Sequence, residues 1–155
     1  MFTRPLLPIL FFLLFCSSVL HAAPSLNDHD ALAGLKTVKV IFDVRVPDSD
    51  KLVFNLELFA ETREGLIKQG VTPEMVVAFR GPGVKLLTHD AIDEETLNLI
   101  RELKKKGVRF EVCAVAVRTF KADPGKLIPE VKLVANGFNS LIGYQNKGYA
   151  MIAIN

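Results

Sequence analysis

The chain has 155 residues and a formal net charge of +2, with acidic and basic side chains interspersed. That length holds one domain with its own core, and a nearly neutral mixed surface does not select nucleic acid or an anionic membrane as partner. Two cysteines, Cys16 and Cys113, exclude a disulfide framework.

Arg4 precedes an apolar run from Leu6 to Phe15 broken only by Pro8, and small residues follow at Ala22-Ala23. This is the layout of a secretory signal peptide, and the run is short for a membrane span. Residues 1–22 are therefore expected to be removed, giving a periplasmic or secreted protein with no stable membrane insertion. An uncleaved N-terminal anchor is the alternative. Leu14-Phe15 before Cys16 does not make a lipoprotein signal. Cleavage after Ala22 leaves 133 of the 155 residues and, with Arg4 gone, a charge of +1. It also leaves one cysteine. A single thiol in an oxidising compartment is buried and inert, paired between chains, or used chemically.

Residues 23–36 are mostly polar and aperiodic and are expected to form a leader with little fixed structure. The folded domain is expected over residues 37–155. Val38–Val46 is rich in β-branched residues and stops at Pro47, which predicts a central strand. Pro47-Asp48-Ser49-Asp50 offers turn and N-cap chemistry. Apolar residues from Leu52 to Ile67 then recur at helical spacing, and Gly70 ends that helix. Pro73 precedes a second strand, Met75–Phe79, which runs into Arg80-Gly81-Pro82-Gly83. That loop has neither the G-x-G-x-x-G nor the Walker lysine arrangement.

A second helix is expected from Asp93 to Lys106, its early glutamates and late lysines complementing the helix dipole. Gly107 caps it. The third strand, Val108–Val112, delivers Cys113, and a short helical or irregular piece follows to Lys121. Ala122–Gly125 turns the chain, and Lys132–Ala135 makes a fourth strand. Phe138, Leu141, Ile142 and Gln145 mark a short helix stopped by Gly148, and Tyr149–Ile154 is the last strand. Strands alternating with helices predict an α/β fold whose parallel sheet is covered on both faces. Sites in such folds lie beyond the carboxyl ends of the strands. Gly81–Gly83, Thr88–Asp90 and the segment after Cys113 fall there.

Cys113 is the candidate catalytic residue, because a strand feeding a helix start places backbone N–H groups near the thiol and favours the nucleophilic thiolate. Its apolar neighbours equally suit a small buried hydrophobe. Gly81, Pro82, Gly83 and His89 are candidate substrate-binding residues. His89 is also the only base on offer for a cysteine hydrolase, although an isolated loop histidine is ordinarily just solvated. No ligand pair has metal-site spacing and no cofactor motif is present, so neither a metal nor a cofactor is expected.

Three stretches carry a resemblance: Val76 to Leu87 with its Gly-Pro loop and lysine, Gly107 to Cys113, and the closing Gly137 to Ile152. Together they resemble the DsrE/DsrF-like family over about residues 38–154. The resemblance implies a three-layer α/β/α sandwich on a five-stranded, mainly parallel sheet, assembled as homotrimers or hexamers. It also implies sulfur chemistry, with Cys113 matching the thiol that carries sulfane sulfur as a persulfide. The activity would at most be that of a sulfur carrier or sulfurtransferase, its partners a sulfur donor or acceptor protein or a small thiol. Val115 stands where close relatives often place a polar residue, commonly Asn, and removes one hydrogen-bond partner from the thiol. The alternative is a non-catalytic oligomeric module that binds a small ligand or peptide, with Cys113 buried and inert.

Overall fold

The computed structural model describes residues 26–155, so the expected signal peptide lies outside the described residues. Elements run α1 (His29–Leu32), β1 (Thr37–Val44), α2 (Ser49–Lys68), β2 (Thr72–Phe79), a 3-10 turn (Pro82–Leu87) and α3 (Glu94–Lys105). β3 (Arg109–Cys113), α4 (Ala114–Thr119), a 3-10 turn (Pro124–Lys126), β4 (Lys132–Val134), α5 (Gly137–Asn146) and β5 (Ala150–Ile154) follow. The sheet is five-stranded and entirely parallel, in the order β4-β3-β2-β1-β5. The leader contains a helical turn, α1, and Asp28 exchanges hydrogen bonds with the Gln69 side chain at 2.7 and 3.1 Å.

Strand alternation divides the side chains between two unequal faces. On one face Val40, Phe42 and Val44 of β1, Met75, Val77 and Phe79 of β2, and Phe110 and Val112 of β3 pack against Leu52, Leu56 and Phe59 of α2 and Ile100 and Leu103 of α3. The other face has a small apolar cluster, Ile41, Val76, Ala78, Leu141 and Tyr149, under α5. Its remaining positions include Lys39 and Asp43 of β1, Glu74 of β2, and Arg109 and Glu111 of β3. One face is a hydrophobic core; the other is largely a polar network roofed by one helix.

Local chemistry sets the boundaries. Asp48 and Asp93 cap α2 and α3 by accepting the N–H groups of Lys51 and Thr96. β2 starts at Thr72, three residues before the expected Met75, with Pro73 inside it. Thr72 N–H bonds Lys36 O toward β1, so the next residue's missing N–H would point toward β3, whose pairing begins only at Val76. Pro73 costs no ladder bond there. β3 and β5 each start one residue later than expected. Val108 N–H closes on Leu103 O and Tyr149 N–H on Tyr144 O, completing the glycine-terminated ends of α3 and α5 before the strands begin.

Phe59 is buried and stacks on Phe42 with ring centroids 4.1 Å apart. Phe59→Ala is expected to lower unfolding free energy by about 3–5 kcal/mol in urea titration, since it opens a cavity where α2 meets β1. A loss below about 1 kcal/mol would show that this contact is not core.

Candidate functional site

Cys113 ends β3, pairs with Val134 of β4, and is 5% exposed. The helix that follows it directly, α4, has six residues. The sulfur's hydrogen-bond partner comes instead from α5, whose first residue, Gly137, donates its N–H to Sγ at 3.1 Å. Asn136 caps the same helix by accepting Phe138 N–H at 2.9 Å, leaving the neighbouring Gly137 N–H for the sulfur. The ten-residue α5 therefore begins against the thiol. A helix start presents backbone N–H groups and the positive end of the helix dipole to whatever sits there.

Glycine is required at this contact. A Cβ on residue 137 would stand 2.5 Å from Arg80 Cδ, 2.8 Å from Arg80 Cγ and 3.0 Å from Cys113 Cβ. Three elements thus converge within van der Waals contact: the end of β3, the residue after β2, and the start of α5. Arg80 is itself fixed. Its Nε and one terminal nitrogen donate to the two oxygens of Asp43 at 2.7 and 2.5 Å, and its guanidinium lies 4.1 Å from the Phe138 ring centroid. The Asp43 side chain is only 3% exposed, and Arg45 Nε approaches it at 3.6 Å. Paired, two-point contacts of this kind offset the cost of burying a carboxylate.

Arg80, Gly81, Cys113, Val115, Ala116, Thr119, Phe120, Asn136 and Phe138 line a cavity of about 220 Å³. Its walls are mainly apolar and its one charged group is the Arg80 guanidinium. A space of this size admits a small group rather than a drug-sized ligand.

Of the residues singled out in the sequence, Cys113 and Gly81 line this cavity, while Pro82, Gly83 and His89 do not. Gly81 has φ +103° and passes against Arg45, a backbone conformation that favours glycine. Pro82 begins the 3-10 turn. A Cβ on Gly83 would lie 2.1 Å from Val46 O, so this glycine lets the loops after β1 and β2 touch. His89 is exposed, and its backbone N–H bonds Lys126 O beside the Thr88–Leu127 bridge. No hydrogen bond joins it to Cys113 among the described residues. Arg80, Asn136 and Gly137 were not singled out. An asparagine followed by glycine before a helical segment is a readable cap signal, but its distant sulfur partner is not.

A second polar constellation lies next to this one on the same sheet face. Glu111, two residues before Cys113, is 6% exposed and accepts from Ser140 Oγ and, at 2.9 Å, from the Tyr144 hydroxyl. Tyr149 donates to Glu74 at 2.8 Å and accepts from Arg109, whose guanidinium lies 5.2 Å from the Tyr144 ring centroid. Burial, followed by the hydrogen bond to Glu111, pushes the Tyr144 phenol up to about 12. Burial and the bond to Glu74 push Tyr149 upward too.

The model of the DsrE/DsrF-like family matches residues 39–154. The chain belongs to that family. A protein named only as uncharacterized, from Aquifex aeolicus (strain VF5), is 27% identical over 125 residues, covering 74% of this chain and 55% of the relative. The chain thus spans about half the length of that relative. Two solved structures share the fold. Protein MTH1491 of Methanobacterium thermoautotrophicum, of unknown function, aligns with TM-score 0.62 and 23% identity over 75% of this chain and 98% of its own. The ychN protein of E. coli aligns with TM-score 0.57 and 14% identity over 76% and 99% respectively.

Both tyrosines of the chain are engaged in this network. Because their folded-state pKa values lie above the ordinary value near 10, the stability they contribute is present below about pH 10 and lost as pH rises through the raised values, about 12 for Tyr144. Spectrophotometric titration is expected to show well under half of the phenol ionised at pH 10 in native protein, and about half in denatured protein. Half-ionisation at pH 10 in the native state would contradict the two hydroxyl–carboxylate contacts.

Proposed function

We propose that this chain is an exported sulfur carrier that holds sulfane sulfur as a persulfide on Cys113. The observation that carries the reading is the setting of Sγ: a small cavity, the Gly137 N–H at 3.1 Å, and the Arg80 guanidinium on the wall. Membership of the DsrE/DsrF-like family supports a sulfur-relay fold. The Arg4-to-Ala23 layout supports export to the periplasm or beyond.

The exchange is a thiol–disulfide-type displacement. The Cys113 thiolate attacks the sulfane sulfur of a persulfide or polysulfide donor. A new S–S bond forms at Cys113 as the donor's S–S bond breaks, and the donor leaves with the electron pair as a thiolate or a shorter polysulfide. An acceptor thiolate then attacks the outer sulfur of the Cys113 persulfide and returns Cys113 as thiolate. No external oxidant or reductant enters either step. Negative charge held near Sγ faces the start of α5 and Arg80, both of which favour an anion. Gly137 N–H takes the place of the polar side chain that Val115 does not supply. Partners on this reading are a sulfur donor or acceptor protein or a small thiol, and the protein itself is a homo-oligomer, trimeric or hexameric. His89 has no part in the exchange.

The low exposure of Cys113 favours one competing reading, a ligand-binding module with an inert thiol. Intact mass after exposure to inorganic polysulfide separates the two. The carrier reading expects a gain of about one sulfur per chain, reversed by a thiol reductant and absent in Cys113→Ser. An unmodified chain whose thiol resists alkylation until denaturation would establish the inert module instead.

A further inference from the structure

We propose that Glu111 is a positioning residue for Cys113, acting through helix α5; the proposal rests on the reading of Cys113 as the reacting atom. Arg109, Glu111 and Cys113 alternate along β3 and share the face that α5 covers. Each meets α5 or the turn that follows it through a polar contact. Cys113 Sγ accepts Gly137 N–H in the first turn, and the Glu111 carboxylate accepts Ser140 Oγ and Tyr144 OH in the following turns. Arg109 lies over the Tyr144 ring and donates to Tyr149 beyond the helix end.

The apolar contribution to this docking is small. Leu141 is the one apolar side chain of α5 that is buried, whereas Phe138 and Ile142 are 61% and 58% exposed. A helix with so narrow an apolar contact slides or tilts unless directional bonds fix it. Glu111 supplies two such bonds, at residues 140 and 144, one helical turn apart. They set both the rotation and the axial position of α5, and hence where Gly137 N–H stands relative to Sγ. Paired with two hydroxyl donors, the carboxylate tolerates burial; with the carboxylate removed, both hydroxyls lose their partner and α5 loses its register. Glu111 touches neither the sulfur nor its cavity, so its influence on the thiol is indirect.

The test follows the Gly137 amide by NMR hydrogen exchange, without any sulfur donor, so that it reads separately from sulfur loading. In Glu111→Ala the Gly137 amide is expected to exchange at least about 10-fold faster than in wild type, while the amides of α3 on the opposite face keep their rates. Glu111→Gln, which retains an acceptor for one hydroxyl and a donor for the other, is expected to restore most of the protection. Should Glu111→Ala not fold, Tyr144→Phe removes one of the two bonds at nearly constant volume and is expected to accelerate Gly137 exchange about threefold. Gly137 exchange at the wild-type rate in the folded variant, or acceleration shared equally by α3, overturns the proposal. If Gly137 responds as expected but Cys113 takes up no sulfur from polysulfide, the positioning holds and the carrier reading fails.

Discussion

A sheet face that carries charges beneath a single helix constrains the whole structure. Asp43 and Glu111 are buried carboxylates, and Glu74 and Arg109 meet Tyr149 beside them. A buried charge without partners costs several kcal/mol, so each needs directional contacts. Asp43 has Arg80 and Arg45; Glu111 has Ser140 and Tyr144. These pairings decide where α5 lies and where Arg80 points, and Cys113 sits where the two arrangements meet. The opposite face makes no such demand. Its dense aliphatic and aromatic packing under α2 and α3 supplies stability and leaves the polar face to supply geometry.

This division explains how a modest α/β domain surrounds Cys113 with fixed polar groups and no histidine. Arg80 is locked by Asp43, so its guanidinium can define a cavity wall without collapsing onto the sulfur. Gly137 is small enough to bring a helix start to 3.1 Å from Sγ. Apolar residues, including Phe120 and Phe138, line much of the rest. Low polarity strengthens the remaining electrostatic contacts. The fold is shared with solved structures at 23% and 14% identity.

Much of the fold was legible in the sequence because it rests on local patterns. β-branched runs at Val38–Val46, helical spacing from Leu52 to Ile67, and the acidic-to-lysine gradient from Glu94 to Lys106 each report their own element. The parallel sheet followed from their alternation. The boundaries moved where backbone hydrogen bonds decide them: Val108 and Tyr149 look like strand residues, but their N–H groups close the preceding helices. Pro73 looks like a strand breaker until the absence of a partner on its β3 side is known. The site was only partly legible. Cys113 was visible as a lone thiol after a strand, but its partner Gly137 lies 24 residues on, and Arg80 comes from another strand's end. His89 and Gly83 carried chemical interest by residue type, yet one is exposed on a bridged loop and the other serves a backbone contact. Distance in space, not composition, separates the residues that meet Cys113 from those that do not.

The most direct test of this account is a crystal structure of the protein after exposure to inorganic polysulfide, with sulfur located by anomalous scattering. The account predicts one added sulfur bonded to Cys113 Sγ, lying in the cavity that Arg80, Thr119 and Phe138 line, with Gly137 N–H still directed at the modified side chain. An unmodified Sγ in an unchanged cavity, with sulfur absent or bound elsewhere, would contradict it.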